Sequence, residues 1–166
     1  NTPHTSKQFI VSTSQGRKRL SDHVRNCILM QEFEGVQKIR KSYIKENIGY
    51  IEYHKIPGSP LQPKISAPLL KRIFSELCKI ISQCHSAKIY HRDIRLKNVL
   101  WDKKHGSVTL SGFECSILAE DSQASGCFGR KIYAAPETIF SKKYNAEKAD
   151  MWSLGILLHE ALFGCL

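Results

Sequence analysis

The sequence predicts an α+β chain, with a few short strands and one helix in its first third and a mainly helical remainder. Three patterns carry this reading. Two β-prone runs, residues 39–44 and 48–53, flank the turn-forming pair Glu46-Asn47. Behind Ser66 and Pro68, Leu69, Leu70, Ile73, Phe74, Leu77, Ile80, Ile81 and Cys84 recur at the spacing of one helical face. Residues 150–163 are apolar on nearly every side, which predicts a helix buried all round.

The remaining elements follow from local signals. Phe9-Ile10-Val11 is a short β-prone run, and Ser21-Asp22 offers an N-cap for a helix over residues 23–33. Pro57, Gly58, Pro60 and Pro63 make the next stretch irregular. Residues 99–101 and 108–110 read as a hairpin around Lys103-Lys104-His105-Gly106.

Composition narrows the function classes. With 166 residues the chain can bury the core of one domain. Its 25 Lys and Arg against 15 Asp and Glu give a net charge of +10. These charges are scattered rather than gathered on one periodic face, so a solvated surface is expected and nucleic acid is not an expected partner. The six cysteines form no Cys-x-x-Cys pair and have no histidines at metal spacing; Cys78 and Cys84 read as buried thiols. Together with the lack of any apolar run long enough to span a bilayer, this points to the cytosol or nucleus.

The chemistry lies in a series of short motifs. His91-Arg92-Asp93 is followed five residues after the aspartate by Asn98. Gly112-Phe113-Glu114, Ala135-Pro136-Glu137 and Asp150-Met151-Trp152-Ser153-Leu154-Gly155 come next, and the run 48–54 with Pro57-Gly58 stands upstream. In this order they resemble the catalytic loop, the metal-binding segment, the end of the activation segment, the central helix and the hinge of eukaryotic protein kinases. The resemblance implies a kinase-like fold. Residues 1–54 would be a partial small lobe of strand, regulatory helix and two strands, with a hinge at about 52–55. Residues 55–166 would be a large lobe stopping after the central helix. Residues 1–8 hold no glycine, so no glycine-rich loop precedes the first strand, as in a fragment or a shortened relative.

The resemblance also assigns roles. Asp93 would accept the substrate hydroxyl proton, Arg95 would stand near the transferred phosphate, and Asn98 would hold a magnesium ion. Main-chain groups of Glu52 and His54, with Leu100, would contact ATP. Arg92 would pair with a phosphorylated activation segment, for which Ser122 and Ser125 are the acceptors. His91 and Phe113 would belong to an internal apolar column with Asp150 at its base, and Glu137 would pair with an arginine of a later helix.

Several positions depart from the pattern. Where the family carries the metal-binding aspartate, this chain has Gly112, and shifting the register to Ser111 supplies no carboxylate either. Glu114 is the only nearby substitute ligand. If residues 9–12 form the strand that ends in the phosphate-binding lysine, Ser12 replaces it; Lys7 and Lys18 are the alternatives, and the partner glutamate falls near Cys27. Losing one preorganised electrostatic group costs about 2.7–4 kcal/mol, or roughly 10²–10³ in rate. Kinases turn over at only about 1–100 per second, so such losses leave little activity.

The expected function is therefore a pseudokinase that binds a protein partner, with weak or no nucleotide binding. The alternatives are a low-activity kinase using ATP and magnesium, and a fragment without function of its own. For an active kinase, Tyr133 ahead of Ala135-Pro136-Glu137 favours serine/threonine acceptors, while Arg95 resembles some tyrosine kinases.

Overall fold

Residues 4–164 are described by a computed structural model; Cys165, Leu166 and the first three residues lie outside the described part. The chain begins with strand β1 (His4–Ile10), in which Lys7 and Phe9 turn inward and Ile10 outward. Helix α1 follows over Ser14–Leu29, capped by Thr13, whose Oγ1 accepts from the Gly16 amide at 3.1 Å. The helix thus starts and ends earlier than the 23–33 expected, because Thr13 and not Ser21 is the cap. Its end is held by Lys38, whose Nζ donates to the Met30 carbonyl at 2.9 Å and to that of Phe33.

Strands β2 (Ile39–Lys45) and β3 (Ile48–His54) form the expected hairpin, and both turn residues, Glu46 and Asn47, take positive φ. β3 is the middle of an antiparallel sheet ordered β1-β3-β2. Val11, Leu20, Cys27, Ile39, Ile51 and Tyr53 pack between this sheet and α1.

After the short strand β4 (Ser59–Pro60), α2 spans Ala67–Ser86. Leu70, Ile73, Leu77, Ile80, Ile81 and Cys84 are buried along the face that the periodicity predicted, with Leu69 and Phe74 at its margin. Strand β5 (Ile89–Tyr90) then leads into the loop carrying His91, Arg92 and Asp93. The hairpin of β6 (Val99–Asp102) and β7 (Ser107–Leu110) lies against α2, and β4 pairs with β6. The stretch from Gly112 to Tyr133 contributes β8 (Ile117–Leu118), paired with β5, and β9 (Gln123–Ala124). Short α3 (Pro136–Phe140) and β10 (Tyr144–Asn145), paired with β9, precede the last helix.

That helix, α4 (Ala146–Phe163), begins a turn before residue 150 because Asn145 accepts from the Lys148 amide at 2.9 Å and caps it. It is not buried all round. Asp150, Leu154, Leu157 and Ala161 face the core, whereas Met151 is 52% and Phe163 62% exposed. An apolar composition on every side does not say which sides are covered.

One buried carboxylate ties α4 to the functional loop. Asp150, fully buried, accepts from the His91 amide (2.8 Å) and from His85 Nε2 (2.9 Å) on one oxygen, and from the Arg92 amide (2.8 Å) on the other. Arg92 is thereby held at a φ of 63°, a left-handed conformation that a non-glycine residue adopts at a cost. Asp150→Ala would strand both amides, at about 1–3 kcal/mol each. Urea unfolding should report a loss of roughly 2–6 kcal/mol, with Asp150→Asn less affected because its amide oxygen still accepts.

Candidate active site

The loop that follows β5 brings Asp93, Arg95 and Asn98 into one cluster. Asp93 Oδ2 accepts from Arg95 Nε at 3.1 Å and from Asn98 Nδ2 at 2.9 Å, and the same Nδ2 donates to the Asp93 carbonyl at 2.7 Å. His91 fixes the turn. Its Nδ1 accepts from the Asp93 amide at 3.1 Å, which leaves Nε2 to donate to the Ser111 carbonyl at 2.9 Å. The imidazole also meets the Phe113 ring, with centroids 4.5 Å apart. Thus His91, Phe113 and Asp150 all contact the loop, directly or through each other.

The second carboxylate oxygen of Asp93 faces the segment before α3. A Cβ on Gly129, whose φ is 73°, would come within 2.5 Å of Asp93 Oδ1, so only glycine lets the backbone lie there. The cavity left beside Asp93, bounded by Phe128, Arg130 and Tyr133, measures about 20 Å³. That is room for about one water molecule. Tyr133 is buried, donates its hydroxyl to Glu160, and is pushed above its ordinary pKa by burial and by that carboxylate.

Gly112 takes a φ of 87°, and a Cβ there would lie 2.6 Å from the Asn98 side chain. The position lacks a carboxylate and has no room for one as the loop stands. Two residues on, Glu114 is bound by Lys7 through an ion pair and hydrogen bond. Burial opposes ionisation of Glu114, but the Lys7 ammonium outweighs it and holds the carboxyl below its ordinary range. Lys7 is therefore the cation that β1 sends into the cleft; Ser12 lies beyond the strand and Lys18 on the exposed side of α1.

The helix residue facing this pair is His23, one turn before Cys27. Its Nδ1 donates to the Phe113 carbonyl at 2.8 Å, so Nε2 accepts from the Tyr53 hydroxyl at 2.6 Å. Burial lowers the pKa of His23 against the pull of Glu114, and burial raises that of Tyr53. Cys27 lies in the apolar cluster behind, its thiol pushed up to about 12 by burial. Sequence spacing placed the helix partner near Cys27 because it lacked the true start of α1.

A magnesium ion does not fit the residues proposed for it. Glu114 is neutralised by Lys7 and Gly112 brings no charge, so Asn98, whose amide nitrogen is turned to Asp93, offers no more than a neutral amide oxygen. Among the described residues no three His, Cys, Asp or Glu side chains gather as a metal-holding group.

The nucleotide positions are placed as follows. Glu52 is buried in β3 and pairs with Arg40 and Lys41, each at 3.2 Å. The His54 amide already donates to the Lys38 carbonyl at 3.0 Å, and Leu100 lies half-buried in β6 opposite Thr109. Arg92 is engaged too: Nε donates to the Cys115 carbonyl (2.7 Å), Nη1 to the Ser125 carbonyl (3.3 Å), and the guanidinium lies 4.2 Å from the Phe128 ring centroid. Ser122 is tied to the Tyr90 hydroxyl at 2.6 Å. Glu137 is half-buried and forms no ion pair among the described residues. The roles of Gly129, His23 and Lys7 were not legible as motifs; a positive-φ glycine and two polar residues on inward faces became meaningful only in space.

Residues 59–166 match the protein kinase domain family. Mouse testis-specific serine/threonine-protein kinase 5 is 34% identical over 145 residues, covering 83% of this chain and 39% of that protein. In Arabidopsis thaliana, CBL-interacting serine/threonine-protein kinase 20 is 36% identical over 126 residues, covering 70% of this chain and 28% of the relative. CBL-interacting serine/threonine-protein kinase 13, also from Arabidopsis thaliana, is 31% identical over 147 residues, with coverages of 86% and 29%. The chain thus spans less than two fifths of the length of these relatives. The ordered motifs, the α+β fold that positions them and this match converge on one assignment: the chain belongs to the protein kinase family.

Proposed function

We propose that this chain is a kinase-like module impaired in phosphoryl transfer, a pseudokinase that acts by binding a protein in the cytosol or nucleus. The observation that carries the reading is the Lys7–Glu114 pair. Phosphoryl transfer depends on neutralising the triphosphate with a cation-holding carboxylate and a lysine. Here the lysine is spent on an internal carboxylate, and the glycine at position 112 supplies none. The crowded face of Asp93 adds to this, since the backbone at Gly129 lies against its Oδ1, where a substrate hydroxyl would approach.

A low-activity serine/threonine kinase is the second reading, and the hydrogen-bonded trio of Asp93, Arg95 and Asn98 favours it. Such an enzyme would use ATP and magnesium on protein hydroxyls, as the names of the relatives suggest by analogy.

A radiolabelled phosphotransfer assay separates the two. The wild-type chain should transfer no phosphate above an Asp93→Asn control. Gly112→Asp should also fail to gain activity, because its side chain meets Asn98 in a left-handed backbone, and should lose about 1–2 kcal/mol of stability. Wild-type transfer that disappears in Asp93→Asn would sink the pseudokinase reading.

Thermal shift with ATP should give little stabilisation and little dependence on magnesium. Glu114→Gln frees Lys7 for a phosphate, so ATP should stabilise that variant more than the wild type. The same variant tests the ion pair. A carboxyl whose folded pKa is depressed contributes stability above its ordinary pKa, and that stability is lost as pH falls through the folded value. Glu114→Gln should therefore lose about 1 kcal/mol at neutral pH, solvent screening of this partly exposed pair included, and nothing at strongly acidic pH.

A further inference from the structure

A cavity of about 460 Å³ opens between α1 and the segment that follows Phe113. Lys18, Arg19, Asp22, Arg25 and Asn26 line it from one face of α1, and Glu114, Ser116, Ile117 and Leu118 from the other side, with Arg92 and Phe128 at the end. Most of its charges are already matched. Asp22 pairs with Arg25 at 3.1 Å, Glu114 with Lys7, and Arg92 is bound to main-chain carbonyls. Lys18 and Arg19 are exposed and form no ion pair among the described residues. The rim therefore carries two uncompensated cations.

Behind the cavity lies a polar floor. Asn26 is fully buried; its Nδ2 donates to Ser116 Oγ at 3.0 Å, while Oδ1 meets no donor. A buried acceptor without a partner costs about 1–3 kcal/mol, so the floor is incompletely paired, although this oxygen itself is sealed from solvent. The two serines expected as phosphate acceptors do not supply the anion. Ser122 is held by Tyr90, Ser125 is exposed, and neither lines the cavity.

We propose that this cleft is a docking site for an acidic peptide segment of another protein. A peptide offers what the walls lack: carboxylate or phosphate groups for Lys18 and Arg19, and apolar side chains for Ile117, Leu118 and Phe128. An oligonucleotide backbone brings the charge without the apolar side chains. Asp93 does not line this cleft, although Arg92 and Phe128 border both cavities, so docking there does not require phosphate transfer.

The test is fluorescence anisotropy of the chain with a labelled peptide of alternating Glu and Leu, its phosphoserine version and its Gln counterpart. Both anionic peptides should bind and the Gln peptide should not. Lys18→Glu with Arg19→Glu should weaken binding by about tenfold or more, whereas Lys142→Glu with Lys143→Glu, an equal charge change elsewhere, should alter it less than about twofold. Circular dichroism and the unfolding midpoint check that both variants stay folded. Equal weakening by the two pairs, displacement by a single-stranded oligonucleotide as effective as by peptide, or no binding of any acidic peptide would each overturn the proposal.

Discussion

A single fully buried carboxylate, that of Asp150, organises the functional half of this molecule. Its two oxygens take three donors, two of them the amides of His91 and Arg92. A buried charge is tolerable only when its lone pairs are satisfied, and here they are satisfied by the backbone of the loop it must hold. The strained φ of Arg92 follows, and with it the direction in which the loop presents Asp93. Because Asp150 is anchored on α4, the position of Asp93 is inherited from the core packing of Leu154, Leu157 and Ala161.

Opposite this scaffold, the polar groups of the facing wall satisfy one another. Lys7, His23, Tyr53 and Glu114 form a closed network across β1, α1, β3 and the segment after Gly112. Each group answers another: the lysine offsets the carboxylate, and the neutral imidazole bridges the Phe113 carbonyl and the Tyr53 hydroxyl. Such a network gives up an open, charged cleft for an internally satisfied one, and that exchange underlies the proposed loss of phosphoryl transfer. It also places α1 firmly against the segment that, further along, walls the basic cleft.

Much of the site was readable in the chain. His91, Arg92, Asp93 and Asn98 stand close together in sequence, so their clustering is a local matter, and Gly112 announced a missing carboxylate at once. The amphipathic face of α2 and the hairpin at Glu46-Asn47 were equally legible, because periodicity and turn chemistry are local properties. The limits of α1 and α4 were not. Ser21-Asp22 competed with Thr13 for the start of α1, and the chain used Thr13; α4 starts at the Asn145 cap, ahead of the apolar run that marked it.

What the sequence determined by itself was the family, the order of elements and the absence of a metal-binding side chain at position 112. The tertiary structure decided which cation enters the cleft, which helix residue faces it, that Glu114 is answered by Lys7, and that Gly129 closes over Asp93. Those outcomes depend on pairs far apart along the chain, Lys7 and Glu114 above all. No local pattern encodes them, because ion pairing and backbone approach are set by distance in space after the core has packed.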